Sequence, residues 1–225
     1  MAGVEKTWNA SAGPARAGWS KRFHAWCLAH CTARYERLVV ERKRVLIGAL
    51  HGDVLEIGPG AGPNLAFYPA GCRWVGVEPN PYMVPYLQQA AEQAGRNIEI
   101  RSGSAEQLPA EDASADAVVS TLVLCSVRDP AASLREVLRV LRPGGRFVFV
   151  EHVAAPRGSK LRRIQGFIRP LWKRLADGCH PDRETWLSIE QAGFARVHCE
   201  HFRLPLGPVA TQIAGYAVKA VISGK

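Results

Sequence analysis

Val54-Leu-Glu-Ile-Gly-Pro-Gly-Ala-Gly62 is a short apolar strand that runs directly into three glycines. Glycine is needed at such a turn because the backbone bends sharply and approaches a ligand closely, which leaves no room for a Cβ atom. The dinucleotide-binding pattern is Gly-x-Gly-x-x-Gly. Here Gly62 follows Gly58 and Gly60 one residue too early for that pattern. The loop alone is compatible with any nucleotide-like cofactor.

A carboxylate follows the loop at a suitable distance. Glu78 comes directly after a second apolar strand, Arg73–Val77, and lies twenty positions after Gly58. A carboxylate at the tip of the second strand can accept hydrogen bonds from both hydroxyls of a ribose. The alternative is a surface acid at a strand end. We predict that Glu78, with the adjacent Pro79, contacts the cofactor ribose.

A third element completes the predicted cofactor site. Ser104-Ala105-Glu106 follows the third strand, where a backbone N–H can meet the adenine edge and the Ser104 hydroxyl can bond the exocyclic amine. Met83 is placed to pack on the adenine face, although a lone methionine is also an ordinary core residue. The early third glycine disfavours a pyrophosphate cofactor, whose two phosphates need the helix N-terminus. The three elements together predict S-adenosylmethionine.

Glu56 lies inside the first strand, where an ionised side chain is costly to bury unless it is paired. We expect Glu56 either to hold the glycine loop or to meet the α-amino group of the cofactor. The full set of predicted cofactor-binding residues is Glu56, Gly58, Gly60, Gly62, Glu78, Pro79, Met83, Ser104, Ala105, Glu106, Thr121 and Leu122.

Strands and helices alternate along the remainder of the chain. Further strands are expected at Ile98–Ser102, Ala117–Val123 and Arg146–His152, and helices at Pro81–Ala94 and Pro130–Leu141. This alternation is typical of a parallel sheet with crossover helices on its faces. Ala195–Arg203 and Gln212–Val221 read as an antiparallel pair at the edge. The prediction is an α/β, Rossmann-like fold with a seven-stranded, mostly parallel sheet and helices on both faces.

The predicted domain organisation has two parts. Residues 1–50 form an N-terminal arm and a helical lid, because apolar residues recur at helical spacing from Ser20 to about Leu50. Residues 51–225 form the catalytic domain, with residues 154–181 as a substrate-side insertion over the carboxyl ends of the strands. Open α/β sheets bind ligands at that edge.

The net charge of +9 is unevenly distributed. Residues 1–50 carry nine Lys or Arg against three acids, and residues 157–174 carry seven basic residues and no acid. Basic segments can contact nucleic acid or anionic lipid, but more often they are solvated helix faces. Neither segment is rich enough in aromatics for a single-strand binder, so no nucleic acid is expected.

The sequence also bears on compartment. No apolar run approaches the roughly 20 residues that span a bilayer, and residues 1–19 lack the apolar stretch of a secretory signal. We therefore expect a cytoplasmic protein whose six cysteines are reduced thiols. The sequence does not fix the oligomeric state.

Two residues are predicted to act on the methyl acceptor. His152 follows the fifth strand, and histidine is the commonest general base, so it is the best placed candidate for that role, although it could instead bond only the backbone. Asp177 could orient a base or a substrate, or cap the turn at Gly178. No metal is predicted, because His198, Cys199 and His201 and the pair Cys179-His180 lack the spacing of a structural zinc site.

Several of these blocks resemble those of class I methyltransferases, namely Val54–Gly62, Val77–Met83, Ser104–Pro109 and Leu141–His152. Within that superfamily, the chain closely resembles the methyltransferase-like 7 proteins, which are alkyl thiol S-methyltransferases. The resemblance is carried by Thr121–Val127, Val140–Gly145, Glu151–Ala155, Asp177–Cys179, Arg183-Glu184, Trp186 and Gly215–Val218. It covers about residues 52–219.

The resemblance implies that the acceptor is the sulfur of a small-molecule thiol. Two alternatives remain open. One keeps the cofactor and methylates an amine or hydroxyl of a lipid or natural product, and the other binds S-adenosylmethionine without turnover.

The family carries an apolar N-terminal membrane anchor, whereas this N-terminal region is basic and amphipathic. Peripheral contact with a membrane through the basic helices is therefore a further possibility.

Overall fold

The computed structural model of the protein describes residues 15–221, without the side chains of residues 15–17 and of Ser20. Two helices open this range, α1 at Ala15–Cys31 and α2 at Ala33–Gly48. The sequence predicted one or two helices here. It also predicted a loose arm over residues 1–18, of which residues 1–14 lie outside the described part and residues 15–18 belong to α1.

One seven-stranded sheet organises residues 53–218. Its strands are β1 (Asp53–Ile57), β2 (Arg73–Val77), β3 (Glu99–Arg101), β4 (Ala115–Thr121), β5 (Leu141–His152), β6 (Arg196–Arg203) and β7 (Thr211–Val218). Their spatial order is β3-β2-β1-β4-β5-β7-β6, with β1 to β5 parallel and β7 antiparallel to both of its neighbours. The predicted sheet, including its antiparallel edge pair, is confirmed.

Helices cover both faces of the sheet, because successive residues of the central strands point to opposite sides. Val118 of β4 is buried in a cluster with α4 (Pro130–Val140) and α6 (Thr185–Gln191). The adjacent Val119 is buried in a second cluster with α2 and α3 (Val84–Gln93). These opposed cores make the fold doubly wound, and all the parallel strands deliver their carboxyl ends to one edge.

β5 begins five residues before the predicted start at Arg146. Helix α4 ends at Val140, and the predicted stop signal Pro143-Gly144-Gly145 lies within the first part of the strand. The strand accommodates it because the pairing with β4 is irregular. Ala115 pairs with Leu141 and Ala117 pairs with Arg146, so the intervening residues of β5 bulge out of register.

The predicted insertion 154–181 contains a regular element that the sequence analysis did not assign. Helix α5 spans Lys160–Leu175, with the Ser159 side chain accepting a hydrogen bond from the backbone N–H of Arg162 at its N-terminus. It includes Pro170, a residue that usually marks a helix boundary. Among residues 15–221, none of the helices is both long enough and apolar enough to cross a membrane.

Candidate cofactor and acceptor site

The glycine loop adopts backbone conformations that side chains rarely take. Gly58, Gly60 and Gly62 have φ angles of 58°, 58° and 81°. A Cβ atom on Gly58 would lie 2.8 Å from Val123 Cγ2, and one on Gly62 would lie 2.8 Å from Leu87 Cδ1. The loop is therefore built around the absence of side chains, as the sequence predicted for a turn that approaches a ligand.

Glu78 holds this loop directly. Its Oε2 accepts a hydrogen bond from the backbone N–H of Gly60 at 3.0 Å, and its Oε1 accepts one from the N–H of Asn80 at 2.9 Å. The side chain is buried. Burial raises the pKa of Glu78 to about 7, against the lowering effect of the two backbone N–H groups. Each carboxylate oxygen has further lone-pair capacity for a hydroxyl donor.

Glu56 is fully buried and anchors the chain that follows the loop. Its carboxylate accepts hydrogen bonds from Asn64 Nδ2 at 2.6 Å, Tyr68 Oη at 2.8 Å and Trp74 Nε1 at 3.0 Å. Burial raises the pKa of Glu56, and these donors partly offset the rise. Of the two predicted roles, the observed contacts match that of holding the loop.

Asn64 links the loop to the end of β4, because its Nδ2 also donates to Thr121 Oγ1 at 2.6 Å. Its own Oδ1 is buried and has no hydrogen-bond partner among the described residues. An unsatisfied buried acceptor is unfavourable by about 1–3 kcal/mol unless a donor reaches it. Asn64 therefore presents an acceptor that a bound ligand can satisfy, and the sequence analysis did not single it out.

A cavity of about 450 Å³ opens beside the loop. The predicted residues that line it are Glu56, Gly58, Gly60, Gly62, Thr121 and Leu122. The facing wall comes from the N-terminal helices through Leu28, Thr32 and Tyr35. These helices thus border the cavity, as expected for a lid.

The N-terminal wall also carries charge. Lys43 is fully buried, lines the cavity, and forms an ion pair with Glu36 at 2.7 Å. The Tyr35 hydroxyl is buried without a hydrogen-bond partner in the described part of the chain. The sequence analysis read this region only as an amphipathic helix, since nothing local distinguishes a buried lysine from a solvated one.

Of the predicted adenine contacts, Met83 lies next to the glycine loop. Met83 is buried, and its Cε lies 3.8 Å from where a Cβ of Gly60 would stand. Ala105 is buried in the core, and Ser104 forms a short bridge with Gln107. Pro79 is exposed beside Glu78.

Glu106, the last residue of the predicted adenine set, accepts a hydrogen bond from the Arg128 N–H at 2.8 Å. Burial acts to raise the pKa of Glu106. Backbone N–H groups and the Ser104 hydroxyl outweigh it and lower the pKa. These contacts hold the loop after β3 against the loop after β4, and cofactor contact by Ser104, Ala105 and Glu106 stays a prediction.

The end of β4 is strained and braced. Leu122 has a φ of 57°, which is unusual for a branched residue. Glu151 Oε1 accepts hydrogen bonds from Ser120 Oγ at 2.7 Å and from the N–H groups of Val123 and Leu124 at 3.0 and 3.2 Å. Backbone outliers of this kind persist where neighbouring contacts enforce them, often at ligand sites. Glu151 is a further supporting residue that the sequence did not reveal.

His152, the predicted base, is buried at the end of β5 and contacts a sulfur. Its Nε2 lies 3.0 Å from Cys179 Sγ, which also accepts a hydrogen bond from Trp172 Nε1 at 3.2 Å. Hydrogen bonding from Cys125, followed by that from His152 and Trp172, lowers the pKa of Cys179 to about 4 despite burial. His152 was also considered as a residue that bonds only the backbone, and this alternative is wrong because Nε2 contacts a side chain. The role of His152 as a general base stays a prediction.

Asp177, the second predicted catalytic residue, lies apart from this contact. It has a φ of 45°, and its carboxylate lies 3.6 Å from His24 Nδ1 of α1. Its charge also contributes to the raised pKa of Glu78. Asp177 therefore faces the N-terminal helix and the ribose side of the site, and its catalytic role stays a prediction.

Cys125, His152 and Cys179 form a buried group whose ligand atoms all lie within 4.8 Å of one another. The expectation of no metal site considered only residues close in sequence, and these three come from separate segments. All six cysteines are free thiols, as predicted.

Taken as a whole, the residues fit S-adenosylmethionine. A Cβ at Gly60 would meet only Met83 Cε, at 3.8 Å, so space is open beside the loop there; the buried Glu78 carboxylate accepts from the Gly60 N–H, and the unsatisfied amide oxygen of Asn64 lies at the cavity. Residues 55–149 match the family model described as a methyltransferase domain.

Full-length relatives carry the comparison further. The chain is 43% identical over 217 residues to thiol S-methyltransferase TMT1B of Mus musculus, covering 88% of this chain and 87% of the relative. It is 38% identical over 212 residues to thiol S-methyltransferase TMT1A of Homo sapiens, with the same coverage.

A solved structure supports the fold independently. A SAM-dependent methyltransferase from Methanosarcina mazei superposes with a TM-score of 0.58 at 22% identity, over 75% of this chain and 92% of that one. At this identity the likeness concerns the fold.

Proposed function

Since the chain belongs to the thiol S-methyltransferase family of S-adenosylmethionine-dependent methyltransferases, we propose that it transfers the methyl group to the sulfur of small-molecule thiols. One observation carries the cofactor half of this proposal, namely that the buried Glu78 carboxylate accepts a hydrogen bond from the Gly60 N–H in a loop where Gly58 and Gly62 have no room for side chains. Similarity over almost the whole chain supports the acceptor half, because it extends beyond the cofactor motifs to residues 151–186.

Residues around the cavity would hold the two ends of the cofactor. Glu78 accepts the ribose hydroxyls, and Met83 packs near the adenine. Asn64 Oδ1, together with the backbone of the glycine loop, accepts from the α-amino group, while buried Lys43 supplies positive charge near the carboxylate. The cofactor brings a methyl group on a sulfonium, which is an excellent leaving group. The protein therefore needs mainly to align acceptor and methyl and to exclude water.

The acceptor would approach from the carboxyl ends of β4 and β5. A thiol reacts as its thiolate, and with a free pKa near 8.5 it needs only modest help to ionise. Leu122 lines the cavity at this edge. His152 is the last residue of β5, and its Nε2 contacts Cys179 Sγ. An amine or hydroxyl acceptor would use the same cofactor contacts. Thiol, amine and hydroxyl acceptors therefore differ only in their contacts at the carboxyl ends of β4 and β5, which we call the acceptor edge.

A matched substrate panel tests the proposal. Purified protein and S-adenosylmethionine are incubated with an alkyl thiol, the alcohol and the amine of the same carbon skeleton, and methylated products are quantified by mass spectrometry. We expect turnover on the thiol, with Glu78→Ala as the control that loses it. Turnover on the alcohol or the amine alone would contradict a thiol acceptor and identify that compound class as the acceptor. Cofactor binding without any product would favour a binding module.

Peripheral contact with an anionic membrane is a second proposal, and the surface of α5 favours it. Ile164, Phe167, Leu171 and Leu175 recur at helical spacing on this helix, and their exposed fractions are 50%, 88%, 63% and 72%. Basic residues flank this apolar stripe, and no acid occurs in residues 157–174. A basic helix with an exposed apolar face is typical of binding in the plane of a lipid surface. The proposal is of a cytoplasmic protein in contact with such a surface.

Vesicle flotation tests this contact. We expect the protein to float with vesicles that contain phosphatidylserine and to remain unbound with pure phosphatidylcholine. Phe167→Glu should abolish flotation, whereas Val45→Glu, at an exposed valine on α2, should leave it unchanged. Equal flotation of both variants would contradict the assignment to α5.

A further inference from the structure

Three soft ligands converge beside the acceptor edge. Cys125 follows the end of β4 by four residues, His152 is the last residue of β5, and Cys179 follows the end of α5 by four residues. β4 and β5 are neighbouring parallel strands, so their carboxyl ends meet. All three side chains are buried, and their ligand atoms lie within 4.8 Å of one another.

The segment that carries Cys179 is shaped to reach this position. Asp177 and Gly178 both have left-handed φ angles, 45° and 84°. A Cβ on Gly178 would lie 3.3 Å from the Ser126 carbonyl oxygen, so the chain runs close to the loop after β4. The His180 N–H then donates to the Cys125 carbonyl at 2.9 Å, which joins the two cysteine-bearing segments.

Arg183 also holds the loop that carries Cys125 through hydrogen bonds to its backbone. Arg183 Nη1 donates to the carbonyl oxygens of Leu124 and Val127, at 2.6 and 2.8 Å. Glu151 accepts from the Leu124 N–H on the opposite side. The ligands therefore rest on a preformed framework, which lowers the conformational cost of binding an ion.

The contacts around Cys179 favour an electron-rich sulfur. Trp172 Nε1 can only donate, and it lies 3.2 Å from Cys179 Sγ. His152 Nε2 lies 3.0 Å from the same sulfur, and His152 Nδ1 has no hydrogen-bond partner among the described residues. Among the described residues, the sulfur of Cys179 is thus the only side-chain hydrogen-bond partner of the imidazole.

The spacing suits a tetrahedral zinc ion. Zinc binds cysteine sulfur at about 2.3 Å and histidine nitrogen at about 2.0–2.1 Å, so tetrahedral ligand atoms lie roughly 3.5–3.8 Å apart. The observed separations run from 3.0 Å to at most 4.8 Å and bracket that range.

We propose that Cys125, His152 and Cys179 bind one zinc ion, and that the sulfur of the acceptor thiol occupies the fourth position. Two cysteines, one histidine and an open position make a ligand set typical of catalytic zinc. The second half of this inference rests on the proposed thiol methylation.

The position of the cluster connects it to that reaction. Cys125 Sγ lies 3.4 Å from the carbonyl oxygen of Leu122, and Leu122 lines the cavity. An acceptor thiol that coordinates zinc loses its proton to solvent. Its sulfur then forms the new bond to the methyl carbon as the bond to the sulfonium breaks. The electron pair of that bond stays on the departing sulfur, so the products are the methyl thioether and neutral S-adenosylhomocysteine.

Metal binding is measured first, without reference to activity. The full chain is incubated with zinc, desalted and analysed by mass spectrometry of the metal, and cobalt is then substituted for zinc. We expect one zinc per chain and a cobalt spectrum with the sulfur charge-transfer and tetrahedral d–d bands of a thiolate site. Cys125→Ser, His152→Ala and Cys179→Ser should each weaken zinc affinity by about tenfold or more, because each removes a direct ligand.

Cys72→Ser and Cys199→Ser are the matched controls, since these thiols lie elsewhere and should leave zinc affinity unchanged. Circular dichroism identifies any variant that does not fold. If a ligand variant does not fold, the cobalt spectrum of the unaltered protein still shows whether thiolates bind the metal. A chain that retains no zinc and shows no thiolate–cobalt bands overturns the metal site.

Activity separates this inference from the proposed function. Loss of thiol methylation on zinc removal, with recovery on zinc addition, supports both. Undiminished thiol methylation by zinc-free protein overturns the zinc inference and leaves the proposed function standing. If the protein binds one zinc per chain but methylates no thiol, the metal site is supported. The proposed function is then contradicted, and so is the proposal that the acceptor sulfur is the fourth zinc ligand.

Discussion

The carboxylate of Glu78 accepts a hydrogen bond from the backbone N–H of Gly60 at 3.0 Å, so the tip of β2 holds the centre of the loop that follows β1. The residue predicted to bind the ribose and the loop predicted to bind the cofactor are therefore in direct contact within the protein itself. Gly60 itself has a left-handed backbone, with a φ of 58°.

Glu78→Ala should weaken S-adenosylmethionine binding by about a hundredfold or more, since hydrogen bonds to a charged group contribute about 1.5–3 kcal/mol each and two ribose hydroxyls lose their acceptor. Calorimetric titration measures the affinity. Glu92→Ala, at an exposed acid near the end of α3, is the control. Unchanged affinity in Glu78→Ala would remove the ribose assignment.

Cofactor affinity should depend on pH through Glu78. Burial raises its pKa to about 7, so the ribose acceptor is largely protonated below that pH and ionised above it. Affinity should therefore fall as pH drops through 7, approaching about tenfold per pH unit, with a proton released on binding. Titrations at pH 6 and 8, in buffers of different ionisation enthalpy, measure both effects. Glu78→Gln should lose the dependence, and equal affinity of the unaltered protein at both pH values would refute this prediction.

Gly62→Ala should destabilise the protein by about 1–3 kcal/mol and weaken cofactor binding, because it combines a left-handed backbone with a close contact. The new Cβ would stand 2.8 Å from Leu87 Cδ1 at a φ of 81°. Gly71→Ala is the matched control, since its Cβ would meet nothing within 4 Å. Denaturant unfolding measures the difference, and similar stability of the two variants would contradict the account of the loop.

Asn64→Ala should lower the free energy of unfolding by about 1.5–3 kcal/mol, because it removes a donor from the buried carboxylate of Glu56. It should also weaken cofactor binding, since Oδ1, the proposed acceptor for the α-amino group, and the hydrogen bond to Thr121 are both lost. Denaturant unfolding and calorimetry give the two values. Asn97→Ala, at an exposed position, should change neither, and an unaffected Asn64→Ala variant would show that this link is dispensable.

Sequence reasoning succeeded where the signal is local. The glycine loop, the carboxylate at the next strand tip and the strand–helix alternation each occupy a short window, so the fold and the position of Glu78 could be predicted. The boundary of β5 was wrong because its first residues are set by an irregular pairing with β4. Helix α5 was missed because Pro170 and a dense basic composition obscured its periodicity.

The remaining site residues depend on tertiary contacts that no local pattern encodes. Asn64, Lys43 and Glu151 are common residue types, and only burial distinguishes them. The grouping of Cys125, His152 and Cys179 arises because two strand ends and the chain after α5 meet at one edge. The sequence analysis tested for metal ligands within short spacings and could not bring these three together.

The most direct test of the central claim uses one acceptor that carries a thiol, an amine and a hydroxyl, together with S-adenosylmethionine labelled with a CD₃ group. Tandem mass spectrometry of the product locates the label. Thiol S-methylation predicts CD₃ on sulfur alone, and loss of this product in Glu78→Ala. Label on nitrogen or oxygen, with the sulfur unmodified, would contradict the proposed function.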